Sequence, residues 1–152
     1  KRQIPFRSFL HLLTVEGQIQ TLKNIKEHLK DDGILIIDLF APKYDYLAQD
    51  KRQATDKIIN PENKHTIFRT ENVTHDHQNQ LIESDYMFVE YDENENFIRS
   101  FHRSVKLRYI FRYEMEHLLK LSGFNLETIY GTFNKKPYNY RSGEMIFIAS
   151  KT

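Results

Sequence analysis

Residues 34–40 read Ile-Leu-Ile-Ile-Asp-Leu-Phe, a run that is apolar on both faces of any strand it forms. Side chains of a strand alternate between its two faces, so a run of this kind needs cover on both sides. That is the condition of a central strand in a parallel α/β sheet. The residues before it agree. Thr14 stands where an N-cap is favoured, and Glu16 falls in the first turn, where the helix dipole favours negative charge. Ile19, Leu22, Ile25 and Leu29 recur at helical spacing, with Gln20, Lys23, Lys26 and Lys30 off that stripe. Asp31-Asp32-Gly33 stops the helix, Gly33 being free to adopt the left-handed conformation, and Ala41-Pro42 ends the strand.

Beyond this unit the period changes. Residues 43–64 are polar and irregular, with Pro61, although Tyr44, Tyr46 and Leu47 suit a short helix. Residues 65–74, 81–91 and 97–111 then alternate as three strands, joined by polar turns at 75–80 and 92–96. In the third, Phe97, Phe101, Val105, Leu107, Tyr109 and Phe111 face one way, and Ser100, His102, Ser104, Lys106 and Arg108 the other. Such a strand belongs to an antiparallel layer packed on one side. A helix over 113–121, closed by Ser122-Gly123, leads to a strand at 124–130, a loop at 131–143 with Pro137, and a final apolar strand at 144–150. One helix–strand unit with a helix and a terminal hairpin leaves its parallel strand short of partners. Residues 2–9 read as the end of a strand running into a loop, and the first residue is Lys1, so either a tag was removed or an upstream part of the fold is missing, the second being the expectation.

Composition narrows the function classes. Lys plus Arg is 22 against 21 Asp plus Glu, a net charge of +1, which supplies no global attraction to nucleic acid or an anionic membrane. With no cysteine, disulfides, thiolate zinc sites and cysteine nucleophiles are all excluded, which fits a reducing cytoplasm. No apolar run approaches the ~20 residues of a membrane span, and no signal-peptide pattern is present.

Four segments, at residues 5–14, 29–33, 111–124 and 144–151, resemble in that order segments of class I S-adenosylmethionine-dependent methyltransferases. Pro5-Phe6-Arg7-Ser8-Phe9-Leu10-His11-Leu12-Leu13-Thr14 is similar to the segment after that family's fourth strand, and Leu29-Lys30-Asp31-Asp32-Gly33 to the turn before its fifth, here 34–40. Phe111-Arg112-Tyr113-Glu114-Met115-Glu116-His117-Leu118-Leu119 with Ser122-Gly123-Phe124 resembles the stretch leading to the sixth strand, and residues 144–151 the antiparallel seventh. The resemblance implies a partial Rossmann-like α/β core, 1–42 and 111–152, holding the equivalents of the fifth to seventh strands. Residues 43–110 would be an inserted three-stranded antiparallel lid. One departure is large. The family's Gly-rich cofactor loop is missing, since glycines at 17, 33, 123, 131 and 143 are unclustered. A chain of this kind is expected to carry half of an S-adenosylmethionine site and to transfer methyl to a nitrogen or oxygen of a small molecule. The rival expectation is a remnant or interaction module without cofactor, dimerising through an open sheet edge.

The resemblance places Phe6, Arg7, Ser8 and Phe9 against the cofactor, where an aromatic ring can cover a cation; the competing reading makes both rings core. His11 is the candidate base, or a helix-end residue. His102, Arg112, Tyr113 and Tyr138 are candidates for contacting the acceptor, with Arg112 suited to a carboxylate or phosphate; the alternative is a solvated sheet face and a capping arginine. His75, Asp76 and His77 have the look of metal ligands but lack a third and fourth partner, so no metal site is expected. Lys135, Lys136, Tyr138, Tyr140 and Arg141 are too few for a nucleic-acid surface.

Overall fold

The computed structural model describes every residue except Lys1, Phe6 and Asp50, and of Arg2 the backbone alone. In chain order the elements begin with β1 (Arg2–Ile4), a 3-10 turn (Ser8–His11), α1 (Val15–Glu27), β2 (Ile34–Phe40) and α2 (Tyr44–Leu47). They continue with β3 (Lys51–Ile59), β4 (Thr66–Asp76), β5 (Leu81–Tyr91), β6 (Phe97–Arg108), α3 (Arg112–Leu121), β7 (Phe124–Tyr130) and β8 (Glu144–Lys151). The chain divides into two compact units, one of Lys1–Tyr44 with Leu107–Thr152 and the other Asp45–Lys106.

The first unit is built on a mixed sheet in the order β1-β2-β8-β7. β1 runs parallel to β2, with Ile4 opposite Ile37. β8 is antiparallel to both β2 and β7, with a bulge between Leu126 and Thr128. Pairing sets Leu35 opposite Ala149, Ile37 opposite Phe147 and Leu39 opposite Met145, so these six share a face. That face is the core: Leu22 of α1 and Met115, Leu118 and Leu119 of α3 pack in one cluster with it. Leu22, Leu35, Ile37, Leu39, Met115 and Met145 are wholly inaccessible. The other face of β2 is less covered than its sequence suggests, because Ile34 is 42% exposed and Ile36 and Phe40 are half-buried. Asp38, on that same face, is nonetheless buried.

Local signals explain both helices. The Thr14 side chain accepts a hydrogen bond from the Gly17 N–H at 3.1 Å, capping α1. At α3, Glu114 reaches back to accept the Phe111 N–H at 2.7 Å. α1 ends at Glu27, earlier than its pattern suggests. Gly33 also differs from expectation. Among the glycines Gly123 has the positive φ, 78°. Gly33 is needed for space, since a Cβ there would lie 2.5 Å from Leu29 Cγ and 2.7 Å from the Lys30 carbonyl oxygen.

The second unit is an antiparallel sheet of four strands, β3-β4-β5-β6, where the sequence suggests three. Residues 43–64 are therefore not irregular throughout, because 51–59 form β3, paired with β4 from Lys51–Thr74 to Ile59–Thr66. Its pattern hides it: eight of nine residues are exposed, with Ala54 the half-buried one, so backbone pairing rather than burial defines it. The last strand ends at Arg108 and not at 111, since Tyr109 and Ile110 leave the sheet to enter the core of the first unit and Phe111 becomes the N-cap of α3.

Candidate functional site

In open α/β sheets ligands bind beyond the carboxyl ends of the parallel strands. Here that end carries the turn after β1, the chain leaving β2, and the start of β8, which runs the other way. β7 runs parallel to β2, so the loop at 131–143 that follows it belongs to the same end. α3 leads back to the start of β7 through Gly123 and thus begins at this end too.

The turn after β1 is held from three sides. Arg7 has φ 58°, in the left-handed region, and its N–H donates to Oδ2 of Asp38 at 3.2 Å. Its guanidinium is 2.5 Å from Oε1 of Glu144 and lies 5.8 Å from the centroid of the Phe40 ring. The Ser8 hydroxyl donates to the Pro5 carbonyl, and Ser8 is exposed. Phe9 is only 1% exposed and packs in the core cluster. Phe6 lies outside the described residues. His11, exposed, ends the 3-10 turn. Just beyond it, Leu12 and Leu13 offer their carbonyls to Gln18 Nε2 at 2.9 Å and Arg108 Nη1 at 3.1 Å.

The structure brings Arg112, Tyr113 and Tyr138 together. The Arg112 guanidinium carbon is 5.0 Å from the Tyr113 ring centroid and 5.8 Å from that of Tyr138. Arg112 Nε donates to Oε1 of Glu116 at 2.7 Å, and this contact raises the pKa of the guanidinium above its ordinary value. Beside them Tyr44 stacks on Phe111, centroids 5.9 Å apart, so that the chain leaving β2 is tied to the start of α3. His102 is placed in the second unit, with Nε2 3.4 Å from Asp85. His75 and His77, also in that unit, stack at 5.7 Å, and Nδ1 of His75 bonds the Gln49 carbonyl at 2.6 Å. Among the described residues no three His, Asp or Glu side chains are placed to hold a metal ion.

Three participants were missed in the sequence. Asp38 carried a signal, because a lone carboxylate in a buried run must find a donor. Glu116 follows Arg112 at i+4, a spacing that pairs charges on a helix. Glu144 carried none; its pairing with Arg7 spans 137 positions.

No protein-family model and no curated protein matches the chain. Solved structures do. The chain is similar to the CcbJ methyltransferase from Streptomyces caelestis, with TM-score 0.78 and 19% identity over 97% of this chain and 58% of that one. It is also similar to an S-adenosylmethionine-dependent methyltransferase from Clostridium acetobutylicum, TM-score 0.76 and 16% identity over 96% of this chain and 55% of that one. CalS10 from Micromonospora echinaspora, an amino pentose methyltransferase solved with S-adenosylmethionine bound, gives 0.73 and 18% over 99% and 57%. The chain thus spans a little over half the length of these structures. It has the fold of class I S-adenosylmethionine-dependent methyltransferases. No described helix is long and apolar enough to cross a membrane.

Proposed function

We propose that this chain is the C-terminal part of an S-adenosylmethionine-dependent methyltransferase acting on a nitrogen or oxygen of a small-molecule acceptor. The observation that carries this reading is the sheet β1-β2-β8-β7, with one parallel pair and an antiparallel strand inserted beside it, in a chain whose likeness to methyltransferase structures extends over 96–99% of its length. In the family's terms β1 stands for the fourth strand, β2 for the fifth, β7 for the sixth and β8 for the seventh. The open edge of β1 and the half-covered second face of β2 support a fold that continues beyond this unit.

The residues at the end of β1 fit part of the cofactor. A tight turn with an exposed Ser8, fixed by a buried carboxylate, presents backbone and hydroxyl groups to a polar ligand. The Gly-rich half of such a site has no counterpart in this sequence. When bound, S-adenosylmethionine supplies an activated methyl group. Arg7, Ser8 and Phe9, with Phe6, form this chain's share of its site, and Phe9 acts there as the buried anchor. His11 takes the acceptor's proton. Arg112, Tyr113 and Tyr138 hold the acceptor, in orientation more than in chemistry. The second unit, with His102, serves acceptor recognition. A cytoplasmic location accords with the reading, whereas a homodimer through an open sheet edge belongs to the rival one, in which no further strand covers β1.

Calorimetric titration with S-adenosylhomocysteine tests it. Weak, saturable binding that Ser8→Ala diminishes is expected; a folded sample that gives no binding overturns the assignment of the turn at Arg7 to Phe9.

A further inference from the structure

We infer that the acceptor carries a carboxylate or a phosphate, and that Arg112 takes it on the outer edge of its guanidinium. The inference deepens the reading above, and rests on it for the statement that the anion belongs to a methyl acceptor.

Three contacts orient Arg112. Its Nε is committed to Glu116 at 2.7 Å, which fixes the plane of the guanidinium. The Tyr113 and Tyr138 rings, at 5.0 and 5.8 Å, flank it from a helix and from a loop. What is left is the edge formed by Nη1 and Nη2. Among the described residues the bond to Glu116 is the one hydrogen bond the guanidinium makes, and the side chain is 42% exposed. An i,i+4 ion pair on a solvated helix needs neither ring. Two parallel N–H donors on a held, planar cation match the two oxygens of a carboxylate or phosphate.

The surroundings favour an anion. The loop at 131–143, which contributes Tyr138, contains Lys135, Lys136 and Arg141 and no Asp or Glu. Glu116 is engaged on Arg112 itself; at the same end of the sheet Glu114 accepts the Phe111 N–H and Glu144 pairs with Arg7 through Oε1. The site also lies at the end of the sheet where ligands of this architecture bind. Lysines in the loop would add attraction without geometry, whereas Arg112 supplies the fixed pair of donors.

The test uses the full chain and two probes, inorganic phosphate and acetate, titrated at constant ionic strength while the side-chain N–H resonances of arginine are followed by NMR. The expected result is a saturable shift of the Arg112 Nε–H with at least one probe. Arg112→Gln is expected to weaken binding of that probe by ~tenfold or more, and replacement of Lys135 and Lys136 by Gln by less. The absence of a saturable Arg112 shift with both probes overturns the inference, as does equal affinity in Arg112→Gln. The wild-type spectrum decides should that variant fail to fold. The same sample is titrated with S-adenosylhomocysteine. Binding of that molecule without an anion response sinks the inference and leaves the methyltransferase reading standing. An anion response without such binding leaves Arg112 an anion site and sinks the cofactor assignment instead.

Discussion

The N–H of Arg7 donates to the buried carboxylate of Asp38 at 3.2 Å, joining the turn after β1 to the middle of β2. A side chain at φ 58° costs roughly 1–2 kcal/mol relative to the right-handed regions, so something must hold the turn there. Asp38→Ala removes the acceptor without adding bulk and strands the donor, and about 1–3 kcal/mol of stability is expected to go with it. Arg7→Gly relieves the backbone while losing a partly exposed ion pair, and is expected to stay within about 1 kcal/mol of the parent. Urea unfolding of the two variants checks the contrast; equal losses would show that the guanidinium, not the backbone bond, holds the turn.

Gly33 and Gly123 are glycines for different reasons, and asparagine separates them. At Gly123 the positive φ of 78° is the obstacle, and the nearest atom to an added Cβ is the mobile Lys26 Nζ. Asparagine tolerates that conformation better than alanine, so Gly123→Asn is expected to cost less than Gly123→Ala, itself about 1–2 kcal/mol. At Gly33 the obstacle is Leu29 and the Lys30 carbonyl, so Gly33→Ala is expected to cost about 1–3 kcal/mol and Gly33→Asn more. Thermal unfolding that ranked alanine and asparagine alike at both sites would contradict this.

The same glycines mark where sequence reasoning stops. A helix, a glycine and an apolar run identify α1, the turn and β2, because periodicity and burial coincide there. The reason for Gly33 was out of reach: the Leu29 side chain and the Lys30 carbonyl crowd it only once the turn has formed. The strand β3 was hidden for the opposite reason. Its exposed residues, among them Lys51, Arg52, Asp56 and Lys57, bury almost nothing, and its identity lies in hydrogen bonds to β4. At the site, the spacing of Arg112 from Tyr113 and Glu116 is local and legible. The contribution of Tyr138 depends on how a loop folds back, and the pairing of Arg7 with Glu144 on a sheet that joins the two ends of the chain.

Glu90 makes the second unit sensitive to acid. It is buried, with His65 Nδ1 2.8 Å from Oε1 and Arg99 Nε 2.6 Å from Oε2, and these partners hold its carboxyl below the ordinary 4.5. A group whose pKa is lower folded than unfolded stabilises fully above the unfolded value, and that contribution is lost as pH falls through the folded one. Asp76 and Asp92 are lowered in the same direction by the side chains and N–H groups of Asn79 and Asn96. Stability measured by urea unfolding is therefore expected to decline as pH drops below about 4.5, the ordinary carboxyl value. Glu90→Gln should flatten part of that decline and leave the share due to the two aspartates. An unchanged acid limb in the variant would remove Glu90 from the account.

Amide exchange should separate β3 from the strands beside it. β3 is an edge strand bonded on one side to β4, and Ala54 is the one residue of its nine that is even half-buried. Cross-strand contacts on its surface, such as Asp56 with Arg69 and Thr55 with Thr70, are exposed and each add a few tenths to about 1 kcal/mol. β4 and β5 instead bury Val73, Ile82 and Glu90 between two neighbours each. Opening β3 thus exposes little apolar surface, and local openings of that kind need far less free energy than global unfolding. The expected pattern is early exchange along 51–59 with protected amides in β4 and β5. Substituting Ile58 or Ile59 by Thr should leave that pattern and the unfolding midpoint nearly unchanged, because both are already exposed at 42% and 58%. Protection of β3 equal to that of β5 would mean that something covers this edge in solution.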